Sequence, residues 1–441
     1  MAVVGAGPGG FYAAGALLKA IPTAEVSLLE RLVSPYGLVR YGVAPDHASL
    51  KSVTAIFERI GNNPRLRYFG HTAVWRDVSM DELKTTHHAV VLAIGASADR
   101  TLNLPSMADH GVYSASQMVG WYNGHPDHAH FSPDLGRGRV CIFGHGNVAV
   151  DLARILLCEP ETLSKTDISQ SAFEILKGAP VKELHLVGRR GPTHTRFSAP
   201  VIKELLELPG VEVVFEADYR EPPRDCDTDI SLAARDAMAV LKAAADRPPG
   251  VGARRLTIHY WSTPKLIMAA DDGLEVSLAR EHGPSDHKRL TVDTVITAIG
   301  YELNRSHCSC LALSNGSLSN ERGRLLDNTG KPIKGLYAVG WSARGASGTI
   351  GTCRSEAERL TQVLAEDSAR APERQLTGSD GLAQILQARG HRYVTFQEWL
   401  QLEAMERARG TASGRSRIKF HTSAQMLAFL EQTFERRKSQ G

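Results

Sequence analysis

The feature that most constrains the fold is a pair of glycine-rich turns, each of the kind that binds a dinucleotide. The first turn, residues 5–10, has the sequence GAGPGG, and the second, residues 144–149, has the sequence GHGNVA. Each follows a short apolar run and precedes a segment with helical periodicity, which is the order of strand, turn and helix in a parallel α/β unit. One such motif is a weak signal, but two in a chain of 441 residues predict two bound dinucleotides.

The first turn is followed by an acidic residue that favours FAD or NAD over NADP. Gly5 permits the tight turn, Gly7 lets the backbone approach a pyrophosphate, and Gly10 lets the next helix lie close to the sheet. We predict that helix at 11–19, with its positive N-terminal end directed at the phosphates. Glu30 ends the next predicted strand, twenty residues after Gly10, where a carboxylate binds ribose hydroxyls and repels a 2′-phosphate.

The second turn is followed by two basic residues where the first has an acid. We predict strands at 139–143 and 183–187 on either side of this turn and its helix, and the second strand is followed by Arg189 and Arg190. A guanidinium binds phosphate in a planar, bidentate way, so two of them suit the dianionic 2′-phosphate of NADP. Paired arginines are usually only a solvated surface feature, but at this position they predict selectivity for NADP.

Composition and spacing argue against several other classes of protein. No run of eighteen apolar residues occurs, so we predict no membrane span. The net charge of +3 is too small to indicate nucleic-acid binding, although it permits a local basic patch. Six scattered cysteines fit a reducing compartment, and none has the spacing of a C-x-x-C disulfide, a zinc site or an iron–sulfur site; we therefore expect no metal centre.

The chain alternates strand-like and helical segments, which predicts an α/β fold with two Rossmann-like, three-layer domains. Apolar runs at 89–94, 294–299 and 336–339 each end at a glycine. We interpret the last run as a return to the first domain, so that the NADP domain is inserted into a discontinuous FAD domain. The predicted boundaries are 1–103 for the first FAD segment, 104–330 for the NADP domain, and 331–441 for the second FAD segment with a helical tail. Hinges are predicted at 102–105 and 329–332, and surface loops at 220–229 and 247–250.

Four segments resemble those of adrenodoxin reductase and its bacterial ferredoxin–NADP reductase relatives. Residues 35–47, PYGLVRYGVAPDH, resemble the hallmark segment of that family, and residues 144–154, GHGNVAVDLAR, resemble its NADP motif. Residues 187–192, VGRRGP, resemble its phosphate clamp, and residues 341–352 resemble its second flavin-contact segment. The resemblance covers essentially the whole chain, and the motifs are long and specific.

This resemblance implies FAD in the first site and NADPH in the second. The implied FAD residues are Gly5, Gly7, Pro8, Gly9, Gly10, Glu30, Leu38, Val74, Trp341, Gly348, Thr349 and Ile350. The implied NADP residues are Gly144, His145, Gly146, Asn147, Val148, Arg189, Arg190 and Gly348.

The chain departs from the family pattern at two places. Ala346 replaces the usual proline after Arg-Gly, which loosens a turn but removes no ligand. Val201 stands where the family has a glutamate, and the nearest acid in register is Glu204, which we count among the candidate cofactor-binding residues. Pro200 suggests that the local backbone has changed.

The resemblance also implies two candidate catalytic residues, because His47 and Asp151 match family positions near the contact between flavin and nicotinamide. In one interpretation His47 relays a proton or orients water, and Asp151 holds it. In the other, His47 caps a helix after Asp46 and Asp151 is structural. The sequence leaves both open.

The implied reaction is hydride transfer from NADPH to FAD, followed by single electrons to an acidic ferredoxin-type iron–sulfur protein. Lys19 matches a partner-facing position, and a basic stretch of the inserted domain contains Arg235, Lys242, Arg247, Arg254 and Arg255. The expected location is the cytoplasm for a bacterial protein and the mitochondrial matrix for a eukaryotic one.

Three rival functions remain at this point. A dithiol reductase of the thioredoxin-reductase kind shares the two-turn layout, but the missing C-x-x-C argues against it. A flavin monooxygenase would use the same two cofactors on an organic substrate. A NADPH-sensing or electron-transfer subunit of a larger complex stays open because the chain begins almost on the first glycines, so that residues upstream of Met1 could be missing.

Overall fold

Two parallel sheets form the centre of the molecule, and one glycine-rich turn leaves each of them. The computed structural model describes residues 1–216, 230–247, 252–280, 287–304, 311–369 and 375–440, and the side chains only as far as residue 436. The predicted loop at 220–229 and most of that at 247–250 lie outside the described residues, as do Cys226, Cys308 and Cys310.

In chain order the strands are β1 (Ala2–Val4), β2 (Val26–Leu29), β3 (Leu66–Phe69), β4 (Val90–Leu92), β5 (Ala98–Asp99), β6 (Val112–Ser114), β7 (Arg139–Phe143), β8 (Glu183–Val187), β9 (Val211–Glu216), β10 (Arg254–His259), β11 (Ser262–Ala270), β12 (Gly273–Arg280), β13 (His287–Val292), β14 (Thr294–Thr297), β15 (Tyr301–Glu302), β16 (Leu313–Ser314), β17 (Ser317–Leu318), β18 (Asn320–Glu321), β19 (Arg324–Leu326) and β20 (Pro332–Ala338). Helices separate most of the strands up to β10, whereas β10 to β20 follow one another with no helix between them among the described residues.

The helices include those of the C-terminal tail, which the sequence predicts to be helical. In chain order they are α1 (Pro8–Ala20), α2 (Leu38–Tyr41), α3 (Ala48–Lys51), α4 (Thr54–Gly61), α5 (Met80–Thr86), α6 (Ala115–Asn123), α7 (Asn147–Leu157), α8 (Pro160–Leu163), α9 (Gln170–Gly178), α10 (Ala199–Leu206), α11 (Leu232–Ala245), α12 (Trp341–Arg344), α13 (Ile350–Ser368), α14 (Gly378–Ala388), α15 (Phe396–Ala412) and α16 (Ser423–Gln440), with 3-10 turns at Pro126–His128 and Pro192–His194.

The first sheet has the order β18-β19-β20-β4-β1-β2-β3, and its five strands from β20 to β3 are parallel. Strand β1 is the middle one of these five parallel strands, and both of its faces are apolar because helices cover both sides of the sheet. Val3 packs into the cluster that contains residues of α1, α13 and α15, whereas Ala2 and Val4 face the opposite cluster with Leu83 and Leu382. This is the three-layer arrangement that the sequence predicts.

The second sheet contains six parallel strands in the order β6-β14-β7-β8-β10-β9. An antiparallel sheet of β11, β12 and β13, which the sequence did not lead us to predict, packs beside it. Among the described residues, no helix is long and apolar enough to cross a bilayer.

The chain passes between the two sheets where β5 and β15 pair in an antiparallel manner, next to a hydrogen bond from the Arg100 N–H to the Gly300 carbonyl. The hinge predicted at 329–332 is wrong, because these residues form the turn between antiparallel β19 and β20 of the first sheet. The domain boundaries at 103/104 and 330/331 remain a prediction, and the pairing of β18 and β19 favours an earlier position for the second one.

Candidate functional site

The first glycine-rich turn is built so that only glycine fits at two of its positions. Gly5 has a φ of +102°, and a Cβ there would collide with the carbonyl of Ala93. A Cβ at Gly10 would collide with the carbonyl oxygen of Gly5, so α1 can begin against the turn only without one. Gly7 is the N-cap of α1, with Pro8 in the first turn. The positive N-terminal end of α1 therefore lies at a glycine, where no side chain keeps a pyrophosphate away from the backbone.

Two distant segments complete a cradle around this turn. The hallmark segment lies on it, since the Tyr36 N–H donates to the Ala6 carbonyl at 2.7 Å and a Cβ at Gly37 would be 3.0 Å from the Cα of Gly7. The end of β20 approaches from the other side, with the Cα of Gly340 3.8 Å from a Cβ built on Gly9. Leu38 stands at the same place with 45% of its surface exposed. An exposed apolar side chain beside this glycine-rich cradle is suited to being covered by a bound flat ring.

Glu30 is held in the orientation that a ribose needs. One carboxylate oxygen accepts from the Ala6 N–H at 2.9 Å, and the other accepts from the Leu32 N–H at 3.0 Å. Burial raises the pKa of Glu30, and these two backbone donors oppose that rise. Val74 lies in the loop that follows β3, and in this loop the Thr72 N–H donates to the Glu30 carbonyl. The geometry fits an adenosine end of FAD at this side of the cradle.

The second flavin-contact segment follows β20 directly. Trp341 begins α12, and its ring stacks on Tyr301 with centroids 6.1 Å apart and an interplanar angle of 24°. Gly348 has a φ of +77°, and Thr349 is the N-cap of α13, its N–H donating to the Thr352 hydroxyl at 3.1 Å. Ile350 is the first residue of this nineteen-residue helix. Its N-terminal end is positive and would stabilise negative charge on a reduced flavin.

The second glycine-rich turn leaves β7 in the same way as the first leaves β1. Gly144 has a φ of +132°, and a Cβ there would collide with the carbonyl of Ala298. Gly146 is the N-cap of α7, and no atom lies within 4 Å of a Cβ built on it. Asn147 accepts a hydrogen bond from the Ser198 N–H at 2.8 Å through its side-chain oxygen, while Val148 follows in the first turn of α7. The space in front of Gly146 fits a second pyrophosphate.

His145 supports this turn as a packed, neutral ring. It lies 4.8 Å from the Tyr260 ring and 6.1 Å from the Phe197 ring, and a Cβ on Gly188 would collide with it. Burial lowers the pKa of His145 to about 4, so the imidazole is uncharged at neutral pH. A contact from this residue to a nucleotide remains a prediction, and it would come from the backbone or from an uncharged ring.

The basic end of the second site has one member that the sequence did not reveal. Arg189 and Arg190 are exposed after β8, as predicted. The pKa of Arg190 is lowered by partial burial and by the charges of Arg196 and Arg189. Arg196 is therefore close to the predicted pair. In the sequence, the one signal for this residue is that it is a single arginine between the clamp segment, residues 187–192, and the next helix.

His47 and Asp151 lie beside each other, and Glu204 joins them. The His47 Nε2 is 2.7 Å from Glu204 Oε2, and its Nδ1 is 3.9 Å from Asp151 Oδ1. These residues come from the start of α3, from α7 and from α10, so three helices converge here. His47 occupies the N-cap position of α3, but its side chain makes no capping hydrogen bond. His47 therefore caps α3 by its backbone position alone, and the role of its ring remains a prediction.

Arg154, buried on α7, organises the carboxylates of this cluster. It forms ion pairs with Asp46 and with Asp151, the latter at 2.7 Å, and its Nε lies 3.6 Å from Glu204. Burial raises the pKa of Asp151 to about 6; nearby His47 opposes the rise and Glu204 reinforces it, while the contact with Arg154 favours the ionised form. We did not predict a role for Arg154, although a buried arginine three residues after an aspartate on one helix could have indicated it.

Val201, where the chain departs from the family pattern, lies on α10, the helix that also carries Glu204. Val201 packs against the hydrophobic core of the second sheet. Pro200 lies in the first turn of α10, where a proline lacks no needed hydrogen bond, so it does not break the helix. Glu204 is one turn further along, and the helix brings it to His47.

The predicted partner-facing residues differ in whether an acidic side chain pairs with them. Lys19, Arg235 and Lys242 are exposed and form no ion pair with any described residue. Arg254 is largely buried in an ion pair with Glu159 and hydrogen bonds to backbone carbonyls, so it is not available to a partner. The remaining two are paired with acids on the same surface, Arg255 with Glu212 and Arg247 with Glu207.

Comparison with known proteins gives a consistent result. A family model described as pyridine nucleotide-disulphide oxidoreductase matches residues 1–237. The NADPH-ferredoxin reductase FprA of Mycobacterium tuberculosis is 36% identical over 97% of this chain and 98% of its own length. The mitochondrial NADPH:adrenodoxin oxidoreductase of Bos taurus is 34% identical over 97% of this chain and 91% of its own length.

A solved structure shows the same arrangement of elements. The structure of Mycobacterium tuberculosis FprA in complex with NADPH superimposes with a TM-score of 0.88 at 34% identity. The match covers 97% of this chain and 98% of that one. The two sheets and the turns between them are therefore shared over nearly the full length.

Proposed function

The chain belongs to the pyridine nucleotide-disulphide oxidoreductase family, among its NADPH-dependent ferredoxin and adrenodoxin reductases, and on this basis we propose that it is an FAD-dependent NADPH:ferredoxin oxidoreductase. The single observation that carries the proposal is the opposite charge of the two dinucleotide sites. Glu30 stands where the first nucleotide needs a ribose acceptor, whereas Arg189 and Arg190 stand at the equivalent place of the second.

FAD, when bound in the first site, accepts hydride from NADPH and passes electrons on one at a time, as an iron–sulfur acceptor requires. The chain's part is to position the two cofactors. The cradle around Gly7 and Gly9 would hold the first pyrophosphate, and the open backbone at Gly146 would hold the second. Between them, β5 and β15 join the two sheets and fix how the sites face each other.

We propose that His47, Asp151 and Glu204 manage protons beside the reacting rings. His47 is in hydrogen-bond contact with Glu204 and within reach of Asp151, so its ring can hold a proton between two carboxylates. Arg154 neutralises the excess negative charge and keeps Asp46 and Asp151 in place. In this arrangement His47 moves the proton, and the carboxylates are positioning residues.

The partner we propose is an acidic iron–sulfur protein. Arg235 and Lys242 stand seven residues apart on α11, which places them on one face of the helix, and both are exposed without an ion pair among the described residues. Two such cations, with Lys19 on α1, give an acidic protein a surface to approach.

Partner reduction should slow as salt is added, because ions screen the attraction that brings the two proteins together. The measurement is the rate of ferredoxin reduction at saturating NADPH between low and physiological ionic strength, and we expect a fall of roughly tenfold. Reduction of a small uncharged quinone serves as the control. A ferredoxin rate that changes no more than the quinone rate would count against an acidic partner.

The test of the whole proposal is an anaerobic titration followed by visible absorption. NADPH should bleach the flavin at a far lower concentration than NADH, and cytochrome c should be reduced rapidly only when ferredoxin is added. Bleaching at equal concentrations of the two nucleotides would contradict the assignment of the second site, and oxygenated product in stoichiometric amount would favour a monooxygenase.

We also propose that the protein works in a reducing compartment, the cytoplasm of a bacterium or the mitochondrial matrix of a eukaryote. Cys141, Cys158 and Cys353 are free thiols, and two of them are buried. When thiols are alkylated in the cell before isolation, mass spectrometry of the unfolded protein should find every cysteine alkylated, that is, reduced when it was labelled. Disulfides in that sample would overturn the proposed location.

A further inference from the structure

Three arginines at the basic end of the second site have no acidic partner in the part of the chain that the structure describes. No ion pair or side-chain hydrogen bond joins Arg189, Arg190 or Arg196 to any described residue, and all three are exposed. Elsewhere on this domain exposed arginines such as Arg137, Arg255 and Arg289 pair with carboxylates. Like charges repel, and the charge of Arg196 lowers the pKa of Arg190 more strongly than that of its neighbour Arg189 does. An uncompensated group of this kind is suited to an anion.

The backbone of Arg196 is fixed to the second glycine-rich turn. Its N–H donates to the His145 carbonyl at 2.9 Å, and residues 146 and 196 form a parallel bridge. Two residues later the Ser198 N–H donates to the side chain of Asn147. The Cα of Arg196 is therefore held beside Gly146 by its own hydrogen bond to His145 and by that of Ser198 to Asn147.

The side chain of Arg196 must then point away from the core. Thr195 and Phe197 on either side of it are buried, with Phe197 against the His145 ring. In an extended segment successive side chains alternate between faces, so residue 196 faces solvent. The space in front of its bridge partner Gly146 is open, since no atom lies within 4 Å of a Cβ built there, and Gly191 packs against the ring of Trp261.

We propose that Arg196 is a third ligand of the 2′-phosphate of NADPH and increases the preference for NADPH over NADH. The inference rests on the proposed function, since it requires NADPH in the second site. A phosphate has three acceptor oxygens, and a third guanidinium adds up to two parallel hydrogen bonds to those that two can donate. Because its backbone is already held, binding costs Arg196 only the rotamer freedom of its side chain.

The experiment compares two nucleotides that differ only in the 2′-phosphate. Binding of 2′,5′-ADP and of 5′-AMP to the FAD-loaded full chain is measured by calorimetry for the parent protein, Arg196→Ala, Arg196→Lys and Arg189→Ala/Arg190→Ala. We expect Arg196→Ala to weaken 2′,5′-ADP roughly tenfold and to change 5′-AMP less than twofold. Arg196→Lys should recover part of the loss. Arg289→Ala, an exposed arginine on the antiparallel sheet, is the matched control and should change neither.

The outcomes separate the inference from the function on which it rests. An equal loss for both nucleotides would place Arg196 at the 5′-phosphate or in a structural role, and an unchanged preference would show that it makes no contact; either result overturns the inference. If the Arg189→Ala/Arg190→Ala variant loses the preference for 2′,5′-ADP while Arg196→Ala keeps it, the NADP site is supported without a contact from Arg196. A parent protein that binds 2′,5′-ADP no better than 5′-AMP would contradict the proposed function itself.

Discussion

The contact between His47 and Glu204 shows how much can depend on one pair of side chains. The two residues are 157 positions apart in sequence and meet at 2.7 Å. Without Glu204 the histidine would face only Asp151, at 3.9 Å. The second carboxylate gives the ring a fixed orientation, which a proton relay needs and a packing role does not.

Replacement of His47 by alanine should slow flavin reduction by NADPH at least tenfold, because the proton would lose its carrier. Glu204→Gln should give a smaller loss, since the amide still holds the ring but no longer stabilises its charge. Both rates are measured by stopped flow at several pH values. His110→Ala, an exposed histidine elsewhere in the chain, is the control. An unchanged rate and pH profile in His47→Ala would rule out the relay.

Asp151 should make the protein less stable as the pH rises. Its pKa of about 6 in the fold lies above the ordinary value, so its contribution is full below about pH 4 and is lost as the pH rises through 6. Asp151→Asn removes this loss. The variant should therefore gain on the order of 1 kcal/mol over the parent between pH 5 and pH 8, as measured by urea unfolding. A constant difference at the two pH values would contradict a raised pKa.

At the scale of elements, the turns and the strands that feed them follow closely from sequence. β7 and β8 have the bounds predicted for them, because buried parallel strands are nearly continuous apolar runs that end at glycines. The antiparallel sheet was missed, since its strands alternate buried and exposed residues of mixed polarity. Residues 390–394 form no strand, and Val394 makes an isolated bridge to Gly70.

Gly10→Ala tests whether the first turn works as described. The new Cβ would meet the backbone carbonyl of Gly5, which cannot move away as a side chain could. We expect FAD content to fall sharply and stability to drop by about 2 kcal/mol or more. Gly178→Ala is the matched control, because nothing lies within 4 Å of its Cβ at the end of α9. Normal FAD binding by Gly10→Ala would mean that α1 is not held against the turn.

At the scale of the molecule, a buried group of charges joins the C-terminal tail to the rest. Lys419, only 3% exposed, lies 3.1 Å from Asp167 and donates to the carbonyls of Asn123 and Arg40. Lys51 contacts the same aspartate at 2.6 Å. Burial alone would raise the pKa of Asp167, but the two lysines hold it well below its ordinary value. Through Lys419 the C-terminal tail therefore contacts Arg40, which follows the first strands of the chain, and also Asn123 and Asp167, which lie in the part that carries the second sheet.

Lys419→Met should destabilise the protein by about 3 kcal/mol at neutral pH, because it leaves a buried carboxylate with half of its partners. The stability that Asp167 contributes is present above about pH 4 and is lost as the pH falls through its depressed pKa. The difference between variant and parent in urea unfolding should therefore shrink in acid. The control is Lys177→Met at an exposed position, and an equally small effect of both would show that the tail is not held by this contact.

The sequence by itself determined the two dinucleotide sites, their order and the α/β class, because glycines, strands and selective charges lie within about 25 residues of one another in the first unit and about 46 in the second. Tertiary structure alone decided which side chains meet between the units. It brought Glu204 to His47, Arg196 to the phosphate clamp and Lys419 to Asp167. Pairs such as Glu204 with His47 and Lys419 with Asp167 join residues far apart in the chain and leave no periodic pattern. Their proximity follows from the packing of whole helices and not from local spacing.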